Sequence, residues 1–320
     1  MRYTLESVYR AKRGLECEVL LVDDGSDIPA EQELAGFEFG PDKIIRQENR
    51  GLLLARLRGL EKASGNYTLF LDADDLIGPR KLSDTVAAFT DPEMAVVYSD
   101  TARTCLEGAY ADLKIEPDAP APNANNLAEL CIEVQPAPHS PIFRTEFLRE
   151  LVARPLFPPL AAYNSVAEIW FYFNAAIRPE KVVRVPGAQT ICGSHGGERI
   201  TGCWEKMAVA SLLVEEAFQR TCPVNNETEE ARRLFGEKVF RSWRALPYDF
   251  SKEYQSRKLR LWRSSPHSRL SEVGHGKFQT LAKVFGAELA GRFLRRIQGN
   301  SYDSVRTLSR DVEIFHEAGQ

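Results

Sequence analysis

The sequence has 320 residues, of which 43% are hydrophobic and 27% charged, and its formal net charge is −4. This composition is that of an ordinary soluble globular protein, long enough for one large domain or for a core domain with an extension. No apolar run is long enough to span a membrane, and the N-terminus lacks the apolar segment of a signal peptide. The six cysteines are scattered without a Cys-x-x-Cys pair, so we expect free thiols and a cytoplasmic protein.

Strand and helix patterns alternate along the first hundred residues. A short amphipathic helix is predicted over residues 1–13, followed by strands at 18–22 and 43–47, a helix at 52–63, a strand at 67–71, a helix at 79–89 and a strand at 94–98. Such alternation is typical of a doubly wound, mostly parallel α/β sheet with right-handed crossovers.

The later elements are less regular. We predict a loop at 116–126, a strand at 140–144, helices at 145–152 and 166–176, and a strand at 181–185 that Pro186 and Gly187 close. Beyond residue 201 the pattern is helical throughout. We therefore predict two domains, an α/β domain over 1–200 and a basic helical region over 201–320.

An acidic cluster follows the predicted strand at 67–71, which contains no polar face and should be buried on both sides. Asp72, Asp74 and Asp75 come directly after it. Three carboxylates so close together repel one another, and a divalent cation such as Mg²⁺ or Mn²⁺, with the phosphate it brings, would stabilise them. The alternative is an acidic loop whose charges face water.

Acidic residues also follow other predicted strands. Asp24 and Asp100 should lie, like Asp72 and Asp74, at the carboxyl ends of strands. Ligands of open α/β sheets bind outside these ends. Four acidic strand ends together predict a binding site.

Four sequence blocks stand out in the first part of the sequence. They are the run at 18–26 containing Asp-Asp-Gly-Ser, the run Gln-Glu-Asn-Arg-Gly at 47–51, the pair Ala55-Arg56, and the run at 63–75 ending in Asp-Ala-Asp-Asp. In their order and spacing these blocks resemble family 2 glycosyltransferases of the GT-A fold, and the resemblance covers about residues 1–200.

The resemblance implies roles for several residues. Asp24 would accept a hydrogen bond from the nucleotide base, and Arg56 would lie near the nucleotide. Asp72 and Asp74 match the Asp-x-Asp motif that holds the ribose and the metal-bound diphosphate, so Asp74 would be a ligand of Mn²⁺ or Mg²⁺. For Asp23 we prefer a role in stabilising its turn.

Two further assignments have structural alternatives. Glu168 matches the position of the family's general base, although Ser165 and Val166 precede it where an acidic pair is usual; it could instead only favour a helix N-terminus. His195 lies where many relatives carry a histidine that contacts the metal or diphosphate, and its alternative is a purely structural histidine. We expect no ligand role for His139, His267, His275 or His316.

The sequence also departs from the family pattern. Family domains begin with a strand reading roughly Val-Ser-Val-Ile-Ile-Pro, whereas this sequence starts with a segment resembling the helix after that strand. We interpret this as a start codon placed too late; alternatively another segment fills the gap, or the protein is an inactive relative. Leu57 stands where an Asn is expected.

The C-terminal region is strongly basic. Residues 238–310 contain 16 Lys or Arg against 5 Asp or Glu, a net charge of +11. Phe278, Leu281, Phe285, Leu289 and Phe293 would form one helical apolar stripe. This region could pack on the core with solvated basic flanks, or contact anionic lipid or a phosphorylated lipid-linked acceptor. No nucleic-acid recognition motif accompanies the charge.

These observations favour an inverting, metal-dependent glycosyltransferase. It would transfer a sugar from a UDP-linked donor to a saccharide or lipid-linked acceptor in cell-surface polysaccharide synthesis, at the inner face of the membrane. The alternatives are a non-catalytic relative that serves as a binding module and a nucleotidyltransferase. The absence of a Gly-rich, basic triphosphate loop near the N-terminus argues against the latter.

Overall fold

The computed structural model describes residues 1–196, 202–266, 274 and 276–308. His267, His275 and His316 lie outside these residues. The chain divides into two compact units, the first containing Met1–Pro155 with Arg178–Gly197 and the second Leu156–Ile177 with Glu198–Gln320. The segment Leu156–Ile177 therefore goes with the second unit, and the boundary at residue 200 stays a prediction.

The first unit contains most of the predicted strands and helices. Its strands are β1 (Leu20–Asp23), β2 (Lys43–Arg46), β3 (Tyr67–Leu69), β4 (Leu76–Ile77), β5 (Met94–Cys105), β6 (Glu116–Pro117), β7 (Ile142–Arg144) and β8 (Lys181–Ser194). Its helices are α1 (Arg2–Ala11), α2 (Ala30–Glu33), α3 (Leu52–Lys62), α4 (Lys81–Ala87) and α5 (Thr145–Ala153), with a π-helical turn at Glu129–Val134. The strand and helix alternation over the first hundred residues is confirmed.

The strands form two sheets. β1 and β2 pair in parallel, with Leu20 opposite Lys43 and Asp23 opposite Arg46. The larger sheet has the order β3-β7-β5-β8-β4, and β6 pairs with β5. Within it β5 and β8 are parallel, whereas the other pairs are antiparallel. Because β1 and β2 are parallel, their carboxyl ends lie side by side in the smaller sheet.

Two strands are longer and one is less buried than the sequence predicts. β5 continues to Cys105 and β8 continues through Pro186 and Gly187 to Ser194, with register shifts near Asp100 that absorb the irregularity. β3 is half-buried because it lies at the end of its sheet and pairs only with β7 among the described strands. The prediction that this strand is buried on both sides is wrong.

The first unit packs α1 and α4 over the sheet. Val8, Ala11, Ile77, Leu82 and Ile142 form one buried cluster. The apolar face of α1 supplies the first two of these residues, as its helical spacing predicts. This packing supports the loop between β3 and β4, which contains the acidic cluster.

The second unit is helical in its described parts, as predicted. Besides a 3₁₀ segment at Ala161–Val166 it contains the helices Ala167–Ala175, Trp204–Thr221, Glu229–Ala245, Lys252–Arg263, Lys277–Phe285, Ala287–Gln298 and Tyr302–Val305. Phe173, Phe218 and Phe235 form an aromatic cluster with ring centroids 5.0–5.9 Å apart. No helix in the described part of the chain combines the length and apolar character needed to cross a bilayer.

The residues of the predicted apolar stripe lie on two helices, Lys277–Phe285 and Ala287–Gln298, here called the C-terminal helix pair. Gly286 separates them with φ of 81°, a conformation that residues with a side chain rarely adopt. Phe278 is buried, but Phe285, Leu289 and Phe293 are exposed. The prediction of one continuous apolar stripe is therefore wrong.

Candidate active site

The loop after β1 is organised by the two neighbouring carboxylates of Asp23 and Asp24. Asp23 is buried and accepts hydrogen bonds from the backbone N–H groups of Ser26 (2.9 Å) and Ala30 (3.1 Å) and from Arg46 of β2 (2.5 Å). Burial raises the pKa of Asp23, but these donors outweigh it and lower the pKa to about 2. The geometry agrees with the predicted role of Asp23 in stabilising its turn.

Asp24 connects this turn to the loop after β2. Its Oδ1 accepts from the Gln47 side chain (2.7 Å) and the Arg50 backbone N–H (3.0 Å), and its Oδ2 accepts from the Gly51 N–H (2.7 Å). The backbone at Gly25 approaches Asn49 so closely that a Cβ at Gly25 would lie 2.7 Å from the Asn49 nitrogen. The first two sequence blocks of the resemblance therefore meet in one structure.

Arg56 and Asp72 form an ion pair between α3 and the loop after β3. Arg56 is 7% exposed, and its guanidinium donates to Asp72 Oδ1 at 2.7 Å. A carboxylate fixed in this way keeps its second oxygen in a defined position. The structure thus brings together two of the residues assigned to the nucleotide.

Asp74 and His195 form a second pair. Nε2 of His195, directly after β8, lies 3.4 Å from Asp74 Oδ2, and each side chain is about one third exposed. A carboxylate oxygen and an imidazole nitrogen at this separation could be two ligands of one Mn²⁺ or Mg²⁺ ion that keeps its other positions for phosphate and water. The donor set therefore fits the ion that the resemblance implies.

Gly193 allows β8 to approach the acidic loop. A Cβ at Gly193 would lie 2.0 Å from the backbone oxygen of Asp74, which no side chain could accommodate without displacement. At Gly193 the structure shows close approach of the chain itself, whereas a Cβ at Gly196 would meet nothing within 4 Å.

Asp75 and His139 stabilise the contact between Gly193 of β8 and the acidic loop. Asp75 accepts from the Gly193 N–H (2.9 Å), and its other oxygen lies 3.1 Å from Nδ1 of the fully buried His139. Nε2 of His139 lies 3.2 Å from the Ile191 carbonyl. The Cys192 thiol is also within 4.8 Å of this group. The sequence places Asp75 in the acidic cluster and predicts no ligand role for His139, but only the fold brings residues 75, 139 and 193 together.

Asp100 does not belong to this site. It lies inside β5, not at a strand end, and Arg184 of β8 donates to both of its oxygens at 2.7 and 2.8 Å. The N–H groups of Gly187 and Ala121 also donate to it. Burial raises the pKa of Asp100, and these four donors lower it by more, below its usual value. The prediction of an acidic strand end here is wrong because β5 is longer than its apolar run.

Glu168 lies in the second unit, in the first turn of the helix Ala167–Ala175. The following aromatic residues, Trp170 to Phe173, are all buried, and the Trp170 indole N–H donates to the Phe157 carbonyl. Glu168 itself is half-buried. A rigid, buried helix would hold a catalytic carboxylate in one orientation.

The chain is similar in sequence to glycosyltransferases. Residues 1–143 match the model of the family described as Glycosyl transferase family 2. EpsH of Bacillus subtilis (strain 168), which bears the name of a glycosyltransferase, is 33% identical over 98 residues, covering 27% of this chain and 28% of that protein. An uncharacterized glycosyltransferase of Haemophilus influenzae is 34% identical over 95 residues, covering 28% and 38%. The chain thus spans well under half the length of these curated relatives.

Solved structures resemble nearly the whole chain. S. aureus TarS 1-349 in complex with UDP-GlcNAc has a TM-score of 0.63 at 18% identity, over 99% of this chain and 93% of that one. The same protein in complex with UDP has a TM-score of 0.61 at 17% identity, over 97% and 89%. At these identities the likeness establishes the fold, which is GT-A.

Proposed function

Since residues 1–143 form a family 2 glycosyltransferase domain within a GT-A fold, we propose that this protein transfers a sugar from a UDP-linked donor to a hydroxyl of its acceptor. The observation that carries the proposal is the pairing of Arg56 with Asp72 and of Asp74 with His195. These four side chains, held in place by α3, the loop after β3 and the end of β8, are suited to binding a nucleotide diphosphate. The TarS complexes hold UDP and UDP-GlcNAc, which supports UDP as the nucleotide.

The donor would bind at the carboxyl ends of β1 and β3. Asp24 would receive the base N–H, while Arg56 and Asp72 would hold the ribose and its neighbouring phosphate. Asp24 already accepts three hydrogen bonds, so the loop at 47–51 would present it to the base in one fixed orientation. A preorganised acceptor of this kind costs little to order on binding.

Asp74 and His195 would hold a Mn²⁺ or Mg²⁺ ion, which supplies charge neutralisation for the leaving diphosphate. The neighbouring residues would only hold these two side chains in position. Gly193 and Asp75 fix β8 against the acidic loop, so the imidazole and the carboxylate keep their separation. Their partial exposure leaves room for the donor phosphates.

The transfer itself would be a single displacement with inversion. The acceptor oxygen bonds to the anomeric carbon as the bond from that carbon to the diphosphate oxygen breaks, and UDP leaves. Glu168 would take the proton of the acceptor hydroxyl as general base. The acceptor would be a saccharide or a lipid-linked acceptor of cell-surface polysaccharide synthesis, and the protein would act in the cytoplasm at the inner face of the membrane.

Turnover with UDP-sugars tests this proposal. We expect UDP release that depends on both acceptor and Mn²⁺, and a loss of about 100-fold or more in kcat for Glu168→Gln with UDP binding retained. Glu227→Gln, at an exposed carboxylate of the second unit, is the matched control and should leave kcat unchanged.

Other outcomes would identify the alternatives. Release of pyrophosphate in place of UDP would indicate a nucleotidyltransferase. UDP binding without turnover of any donor and acceptor pair would indicate a non-catalytic relative. Full activity of Glu168→Gln would remove Glu168 as the base.

A further inference from the structure

The C-terminal helix pair carries a concentrated exposed apolar surface. Val284, Phe285, Leu289, Phe293 and Ile297 are 56–72% exposed, although burial is the usual state for such side chains. Among the described residues, five of the eleven large hydrophobic side chains that are exposed lie within these fourteen positions. Large apolar patches on a protein surface mark contacts with a partner or a membrane.

The opposite face of the C-terminal helix pair is buried in the core of the second unit. Ala290 and Leu294 are buried in a core cluster with Phe240 and Trp243. A Cβ at Gly291 would lie 2.7 Å from the Trp243 ring, so the helix Ala287–Gln298 is packed closely against that side chain. The exposed apolar face is therefore held outward and contributes little to the folding of the second unit.

Basic side chains surround the exposed face. Phe285, Leu289 and Phe293 line an open groove together with Tyr248, and Arg292 and Arg296 line the same groove. Residues 277–298 contain five Lys or Arg and one acidic residue, Glu288, a net charge of +4. Glu288 is already paired with Arg263 (2.5 Å) and Arg292 (3.0 Å).

We propose that the C-terminal helix pair is a membrane-docking element that inserts its exposed apolar face into the interface of a bilayer containing anionic phospholipid. Helices that lie in a membrane interface have an apolar face, a clearly separate polar face, and basic side chains beside the apolar one. The helix Ala287–Gln298 has these features. Arg292 and Arg296 would contact lipid phosphates while their stems cover the acyl chains.

Charge favours a lipid surface over a second copy of the chain. In a symmetric dimer the same surface faces itself, so Arg292 and Arg296 of the two copies would be brought close together in an apolar contact. Like charges in such a contact repel, and desolvation increases the cost. An anionic surface complements both the arginines and the apolar side chains.

Vesicle co-sedimentation of the full chain, without donor or acceptor, tests the proposal. The vesicles consist of phosphatidylcholine alone or with about a third phosphatidylglycerol. We expect retention on the anionic vesicles that decreases with salt, and a fall of about tenfold or more in partitioning for Leu289→Ser/Phe293→Ser. Val224→Ser, at a 78% exposed site of the same unit, is the matched control and should bind as the wild type does.

The second variant, Arg292→Gln/Arg296→Gln, separates charge from apolar insertion and should lose the preference for anionic vesicles. No retention at low salt, equal retention on both vesicle types, or unchanged binding of Leu289→Ser/Phe293→Ser would overturn the proposal. A concentration-dependent dimer that Leu289→Ser/Phe293→Ser abolishes, without vesicle binding, would assign the face to self-association. Because the assay requires no sugar transfer, its result is independent of the proposed activity.

Discussion

At the scale of single residues, the candidate site depends on one backbone contact between the acidic loop and β8. Gly193 is the residue that permits it, and the Gly193 N–H also donates to Asp75. Because Asp74 precedes Asp75 and His195 follows Gly193 by two residues, this contact sets the separation between the two candidate metal ligands.

A side chain at Gly193 should therefore weaken donor binding. We expect Gly193→Ala to reduce the affinity for UDP in the presence of Mn²⁺ by about tenfold or more, since a displacement of the Asp74 backbone moves a ligand out of place. Gly196→Ala is the control, because its Cβ would meet nothing within 4 Å. Titration calorimetry measures both variants, and equal affinities would show that the contact does not control the site.

Lys81 is a second residue whose environment has a measurable consequence. Its fully buried amino group donates to Ser99 Oγ (2.7 Å), Thr190 Oγ1 (3.1 Å) and the Ser140 carbonyl, and burial lowers its pKa to about 7. The unfolded chain, with an ordinary lysine pKa, binds more protons than the folded chain between pH 7 and about 10. The free energy of unfolding should therefore rise with pH in this window.

Denaturant unfolding of wild type and Lys81→Met at pH 7 and pH 9 measures this effect. Relative to the variant, we expect the wild type to gain about 2 kcal/mol of unfolding free energy over that interval. Lys114→Met, at an exposed lysine, should show no such difference from wild type. A parallel pH dependence of wild type and Lys81→Met would contradict the assignment.

The role of Asp23 in its turn was predictable because two of its partners, Ser26 and Ala30, are close to it in sequence. The nucleotide role of Asp24 stays a prediction, and its contacts come from the loop at 47–51. The contacts among His139, Asp75 and Gly193 were not predictable because their partners are 52 to 118 residues away in sequence. Asp100 was misplaced because polar residues in β5 are stabilised by Arg184 across the sheet.

At the scale of elements, one buried ion pair connects two helices of the second unit. Glu215 of Trp204–Thr221 and Lys258 of Lys252–Arg263 are 6% and 2% exposed, and the Lys258 amino group donates to both carboxylate oxygens at 2.5 and 2.6 Å. Removal of one partner leaves the other charge buried without compensation, which costs more than the intact pair contributes.

Glu215→Ala should therefore lower the free energy of unfolding by about 3–5 kcal/mol. Glu253→Ala removes an exposed carboxylate 3.5 Å from Arg257 and should cost less than about 1 kcal/mol. Urea denaturation compares them. Glu215→Met/Lys258→Met removes both charges and should recover most of the lost free energy of unfolding. If it does not, the loss in Glu215→Ala comes from packing and not from the uncompensated charge.

Element type was predicted well and element length less so. Apolar periodicity located α1, α3, α5 and the buried aromatic helix Ala167–Ala175. β5 and β8, which are twelve and fourteen residues long, extend beyond their apolar runs because each supplies ladder partners to the other from Met94 and Lys181 to Cys105 and Ser194. This is a tertiary effect without a local signal. Similarly, Gly286 ends a helix whose apolar spacing would otherwise continue.

At the scale of the whole molecule, the family resemblance of four short blocks predicted the GT-A fold that the comparisons confirm. The charge asymmetry of the sequence predicted a basic C-terminal region, but not that its apolar side chains are exposed. The exposure of these side chains depends on which face of each helix packs against the core of the second unit, and the sequence alone does not show this. The proposed donor site and membrane face thus belong to separate compact units.

The central claim is a metal-assisted UDP site, and a thermal shift with UDP and Mn²⁺ tests it most directly. Ligand at about 100 times its Kd should stabilise the fold by about 2.7 kcal/mol, a clear rise in Tm. We predict this rise for the wild type and for Asp112→Ala, an exposed aspartate of the first unit, and its loss in Asp74→Ala. An equal rise in Asp74→Ala, or none in the folded wild type, would contradict the account.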